Sequence, residues 1–110
     1  MLSSLFSLFV PVPPSEKKKG AEEEGEAGST LWLLSQVLEN NQRAGLPAID
    51  VAANQGQFLA LLVRMTGARR ILEIGTLGGY STIHFARALP DGGTVLSLEL
   101  EERHAEVARE

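Results

Sequence analysis

From Leu31 onward, apolar positions recur with a helical period. Leu31, Leu34 and Leu38 are spaced at three- and four-residue steps, and Trp32 adds apolar surface on the flank. Ser29 or Thr30 is placed to cap this helix, which is expected over residues 31–41 and is broken by Gly45, Leu46 and Pro47. A second helix is predicted over residues 57–65, with Phe58, Leu61, Leu62 and Met65 along one stripe and Gly67 as its stop. Both read as packing elements without chemistry of their own. The pattern then changes. Arg69 and Arg70 lead into a short apolar strand, Ile71-Leu72-Glu73-Ile74, interrupted by a single acid. A glycine-rich turn occupies residues 75–79. Ile83, Phe85, Ala86 and Leu89 then predict a helix over 80–89, ended by Pro90 and the Asp91-Gly92-Gly93 turn. Thr94-Val95-Leu96-Ser97-Leu98 reads as a second strand with Glu99 at its carboxyl end. Glu101 and Glu102 open a further amphipathic helix, where their charge complements the positive helix terminus.

Strand, helix and strand joined by short connections form a right-handed βαβ unit with parallel pairing. The fold class expected is therefore α/β and Rossmann-like. Two parallel strands leave both sheet edges open, and parallel sheets are normally larger and covered on both faces. The pattern is thus that of the front part of a larger α/β domain, represented by its first βαβ unit and the start of the next helix.

Composition changes the picture mainly at the amino terminus. Residues 1–29 are expected to be a disordered low-complexity tail, and residues 30–110 the folded, cofactor-binding part of an incomplete domain. The tail combines Pro11, Pro13 and Pro14 with a Lys block (Lys17, Lys18, Lys19), a Glu block (Glu22, Glu23, Glu24) and scattered glycines. Such a mixture buries too little apolar area to offset its ordering entropy. The apolar stretch 2–10 lacks the preceding basic region and following cleavage site of a secretory signal, and it is too short to span a bilayer. About eighty residues remain for folding, near the lower limit for an independent core.

The chain is 44% hydrophobic with a formal charge of −4. That sign argues against a nucleic-acid or anionic-membrane partner. With no cysteine, the chain has neither a disulfide framework nor a thiolate metal site, which fits a cytoplasmic setting.

The candidate chemistry lies between Glu73 and Ser81. A strand that ends in a glycine turn lets a ligand approach the backbone, and the next helix directs unpaired N–H groups at it. Carboxylate and phosphate both suit such a site. Two details favour an amino-acid carboxylate. Leu77 stands where the second glycine of a G-x-G-x-x-G dinucleotide pattern belongs. Glu73, just before the turn, would repel a diphosphate but attract an α-ammonium group. Glu99, about twenty residues beyond the turn, is placed to accept hydrogen bonds from a ribose diol. A diol is common to adenosylmethionine and NAD, so Glu99 points to an adenosine ligand without choosing between them. His84 and His104 have no second ligand or partnered nucleophile nearby in sequence, and read as structural or solvated.

Glu73-x-Gly75-x-x-x-Gly79 resembles motif I of class I methyltransferases, with Leu77 in place of the usual middle glycine. The longer string ILEIGTLGGYSTIHFARALPDGGTVLSLELEERHAEVARE resembles the cation-dependent O-methyltransferase family that includes the catechol and caffeoyl-CoA O-methyltransferases. Upstream, Val51-Ala52-Ala53-Asn54-Gln55-Gly56-Gln57-Phe58-Leu59 is similar to the family segment that leads toward motif I. The resemblance implies a role for each matching position. Val51 would touch the methionine portion of S-adenosylmethionine through its backbone. Glu73, Gly75 and Thr76 would line the methionyl pocket, Ser81 would bond the methionyl carboxylate, and Glu99 would hold the ribose hydroxyls. It also implies a small hydroxylated acceptor of catechol-like or phenolic type, and a homodimer at full length. A divalent cation, usually magnesium, is implied as well, with ligands beyond Glu110. An adenosylmethionine-binding module without catalysis is the alternative reading, and an NAD-binding domain a further one.

Overall fold

A computed structural model describes residues 5–13 and 23–110. The Lys block of the tail lies outside the described residues. Three strands and four helices follow in the order β1 (Phe6–Pro11), α1 (Glu23–Arg43), α2 (Ala53–Thr66), β2 (Arg70–Ile74), α3 (Tyr80–Ala88), β3 (Thr94–Glu99) and α4 (Glu102–Arg109). The expected βαβ unit is present: β2 and β3 pair in parallel, with Ile71 opposite Val95 and Glu73 opposite Ser97. The glycine stop of α2 is also where expected, with Gly67 in the left-handed conformation at φ 64° and its N–H bonded to Arg64 O.

The amino terminus departs from expectation. Residues 6–11, read as part of a disordered tail, form β1, which pairs antiparallel with β3 in the order β1-β3-β2. The same edge of β3 was expected to stay open. Prolines and charge blocks dominate the stretch as a whole, but within it Phe6, Leu8 and Val10 alternate at two-residue steps. That alternation needs a partner to matter, and the unpaired edge of β3 provides one. Pro11 is tolerated because it closes an edge strand. Arg109 Nη2 donates to Ser7 O over 2.9 Å, and Val12 N donates to Gly93 O over 2.9 Å, so the strand is held at both ends. Helix α1 likewise begins at Glu23, ahead of the expected caps Ser29 and Thr30.

Register sorts the side chains. Ile71, Val95 and Val10 share a row on the helix-covered face, as do Glu73, Ser97 and Leu8. Ala60 and Val63 of α2, Ala88 and Leu89 from the end of α3, and Val95 form the core on that side. The opposite face carries Leu72, Leu96 and Phe9 in one row, and all of them are exposed.

Helix α2 also packs differently from its apolar stripe. Phe58, Leu61, Leu62 and Met65 face outward, and the buried residues are Gly56, Ala60 and Val63. Small residues win because they permit close approach to α3: the His84 ring occupies the space that a Cβ on Gly56 would need. Helix α1 buries Leu34 and Asn41, seven positions apart, while Leu31 and Leu38 stay exposed.

Candidate ligand site at the glycine turn

The turn between β2 and α3 alternates in backbone handedness. Gly75, Leu77 and Gly79 have φ of 84°, 53° and 93°. Alternation of this kind directs successive N–H groups toward one concavity and suits anions. Glycine accepts the left-handed region at no steric cost, but Leu77 does so only under strain. Space beside Gly75 is open, with nothing within 4 Å of where a Cβ would stand. Gly79 caps α3, whose first-turn N–H groups have no partner within the helix. The turn can therefore accept a carboxylate against the α3 terminus.

Glu73 is buried at 7% exposure and accepts three hydrogen bonds. Its Oε1 accepts from Ser97 Oγ at 2.7 Å and from the Thr82 hydroxyl, and its Oε2 accepts from Ser81 Oγ at 2.5 Å. Thr82 Oγ1 also lies 2.7 Å from Thr76 Oγ1. This geometry joins two residues of the expected site, Glu73 and Ser81, to each other. Three hydroxyl donors surround Glu73 and stabilise its charge in the buried setting. The Ser81 proton is directed at Glu73 in this arrangement. The small polar residues that satisfy the acid are scattered over 24 positions, which local patterning does not reveal.

Glu99, also 7% exposed, turns toward the turn as expected. Its Oε2 accepts from Leu77 N at 2.9 Å, while Oε1 accepts from Leu100 N at 2.9 Å and Glu101 N at 3.1 Å. A carboxylate has about four acceptor positions, so room for one more donor remains. His104 Nδ1 stands 3.9 Å from Oε1. Gly75 is exposed and Thr76 buried, with Gly75 N bonded to Leu98 O at 2.6 Å and Thr76 O accepting from Gly79 N at 3.0 Å. Val51 is half-buried and follows Asp50, whose Oδ1 accepts from Asn41 Nδ2 at 3.1 Å. Asn41 in turn lies against Gly78, so closely that no Cβ fits there. The structure thus brings the segment before α2, the glycine turn and the tip of β3 to one place.

Asn41 is the residue that sequence reasoning missed. It stands seven positions after Leu34 on a face otherwise apolar, and an amide in that slot is the signal that was available. It is 3% exposed, and its Oδ1 has no partner. An unsatisfied buried acceptor of this kind costs about 1–3 kcal/mol. Tyr80 and His84 sit behind the turn with their rings edge-on at 5.1 Å. Burial raises the Tyr80 hydroxyl above its ordinary pKa, and the negative charge of Asp50 adds to the shift. Burial also lowers the His84 pKa. Among the described residues, no group of three or more His, Cys, Asp or Glu can hold a metal ion, and no helix is long and apolar enough to cross a membrane.

Residues 24–110 match the family model described as O-methyltransferase. The chain is 56% identical over 66 residues to a catechol O-methyltransferase of Niastella koreensis, covering 60% of this chain and 30% of that protein. It is 53% identical over 76 residues to a catechol O-methyltransferase of Mycobacterium tuberculosis, covering 69% of this chain and 34% of the relative. The chain therefore spans about a third of the length of these curated relatives. Among solved structures, the O-methyltransferase from Bacillus cereus in complex with SAH superposes with a TM-score of 0.69 and 52% identity, over 86% of this chain and 39% of that one.

Proposed function

The chain belongs to the O-methyltransferase family, and from that membership we propose that it binds S-adenosylmethionine at the glycine turn. It would form the cofactor-binding part of an enzyme that methylates a hydroxyl oxygen of a small catechol-like or phenolic acceptor. One observation carries the reading: the Glu99 carboxylate meets the Leu77 N–H of the turn, so the two ends of an adenosyl amino acid have receptors side by side. The Bacillus cereus relative, solved with SAH, supports the same ligand class.

The residues present fit such a ligand. Open space beside Gly75 admits it to the backbone, the N–H groups at the start of α3 suit its carboxylate, and Glu99 retains acceptor capacity for a ribose hydroxyl. When bound, S-adenosylmethionine supplies a methyl group on a sulfonium, open to attack by an oxygen in line. The work of this chain is to hold and orient that group. Orientation is a large share of what such a displacement needs. The resemblance places the ligands of a divalent cation beyond Glu110, and the described residues contain no cluster of acids or histidines suited to one. No step here runs through a metal.

Isothermal titration of the chain with S-adenosylhomocysteine, adenosine and NADH tests the proposal. Saturable binding of the first two, with adenosine competing for the same site, is expected. Binding of NADH alone would move the assignment to a dinucleotide domain, and no binding of any adenosine ligand would end it. Binding without turnover on a catechol with added magnesium is expected of this chain.

A further inference from the structure

Helices α1, α2 and α3 meet around a cavity of about 720 Å³ whose lining includes neither the glycine turn nor Glu73 or Glu99. Its buried lining is Leu34 of α1, Ala60 of α2 and His84 of α3. Leu31, Phe58 and Leu61 line it as well and remain exposed. Two members of the outward-facing α2 stripe thus border a hollow and not a flat surface. His84 Nε2 has no partner but is sealed against Gly56, so the ring forms floor and offers nothing to an occupant.

Two cations complete the lining: Arg64 in the last turn of α2 and Arg87 in the last turn of α3. Both are exposed, and among the described residues neither has an acidic partner. No acid belongs to the lining, although the chain as a whole carries a formal charge of −4. A guanidinium is always charged, and its planar fork matches an oxyanion. An apolar hollow with a few placed polar groups is the usual form of a small-molecule site, and such sites measure about 300–1,000 Å³. A purely apolar occupant would leave both guanidinium groups unanswered. A small inorganic anion would leave Phe58 and Leu61 facing water.

We propose that this hollow binds an amphipathic carboxylate, its apolar body against Leu31, Phe58 and Leu61 and its head group received by Arg64 and Arg87. Covering Phe58 and Leu61, which are 58% and 49% exposed, supplies the hydrophobic contribution. Pairing of fork and carboxylate fixes the orientation. The site does not depend on the adenosylmethionine reading. Arg87 stands eight positions along α3 from the Gly79 cap, roughly 12 Å at the helical rise. Occupancy of the hollow therefore leaves the glycine turn open.

The test is a calorimetric titration of the full chain with decanoate, decanol and acetate, with amide NMR shifts to locate the bound molecule. Decanoate is expected to bind saturably and about tenfold or more tighter than decanol, while acetate, which has the head group without the body, does not saturate. The shifted amides are expected in α2 and the second half of α3, not in residues 75–79. Arg64→Gln with Arg87→Gln, both at exposed positions, is expected to shrink the preference for decanoate over decanol to about twofold or less. Should that variant not fold, the comparison with decanol on the unsubstituted chain decides. Absence of saturable decanoate binding, equal affinity for decanol, a variant that keeps the full preference, or shifts confined to the glycine turn would each overturn the proposal. Each of these results leaves the cofactor reading standing.

Discussion

Glu99 Oε2 lies 2.9 Å from the backbone nitrogen of Leu77 and accepts its hydrogen. This bond ties the carboxyl end of β3 to the turn after β2, across 22 positions of sequence. It also accounts for a leucine in the left-handed region at φ 53°. Left-handed backbone costs a non-glycine residue about 1–2 kcal/mol. A hydrogen bond to a charged acceptor contributes about 1.5–3 kcal/mol. Burial of the Leu77 side chain adds to that, so the strained conformation persists.

Removing the carboxylate should therefore act on both binding and stability. Glu99→Ala leaves the N–H groups of Leu77, Leu100 and Glu101 without their acceptor. A loss of about 1–3 kcal/mol in urea-denaturation stability is expected. Affinity for S-adenosylhomocysteine should fall about tenfold or more. Unchanged affinity in a folded variant would show that Glu99 serves the turn alone.

Gly56→Ala tests the contact between α2 and α3. The new methyl group collides with the His84 ring, and overpacking of this kind costs about 1–3 kcal/mol. His84→Ala should remove most of that penalty. A double-mutant cycle by chemical denaturation is expected to give a coupling of about 1 kcal/mol or more. Additive effects would mean that the two helices adjust independently.

His84 also makes stability depend on pH. Burial lowers its pKa from the ordinary 6.5. Below that value the unfolded chain takes up a proton that the folded chain refuses. The histidine's contribution is thus full above pH 6.5 and declines as pH falls toward the depressed folded value. Denaturation midpoints between pH 7.5 and 5.5 should drop more steeply for the unsubstituted chain than for His84→Gln. Equal slopes would assign the acid sensitivity to other groups.

The edge strand offers a separate test. Leu8 lies opposite Ser97, half-buried on the helix-facing side of the sheet. Leu8→Asp places a charge there and should detach β1. Amide hydrogen exchange would then quicken in Thr94–Glu99, while the parallel pairing to Arg70–Ile74 holds much of its protection. Unaltered exchange in β3 would mean that β1 contributes nothing to protecting that edge.

Much of this arrangement is local and was open to reading from the residues. A glycine turn between a short apolar run and an amphipathic stretch specifies strand, bend and helix through backbone sterics alone. The next alternating run, ending in Glu99, completes the βαβ unit by the same means. The position of the candidate site followed from that order. So did the direction of Glu99, because a strand of known length ends where its neighbour's turn begins.

Tertiary packing decided the rest. Which stripe of α2 goes inside depended on how near α3 can come, and His84 against Gly56 settled it in favour of small residues. Whether Phe6–Pro11 would be a strand depended on an unpaired edge that exists only after β3 has formed. Glu73 acquired its hydroxyl donors because Ser81, Thr82 and Ser97 converge on it from two other elements. Asn41 acquired its position only when the end of α1 came to rest on Gly78. The physical reason is common to all four. Backbone conformation answers to neighbours in sequence, whereas the satisfaction of a buried polar group, or the fit of one helix on another, answers to neighbours in space.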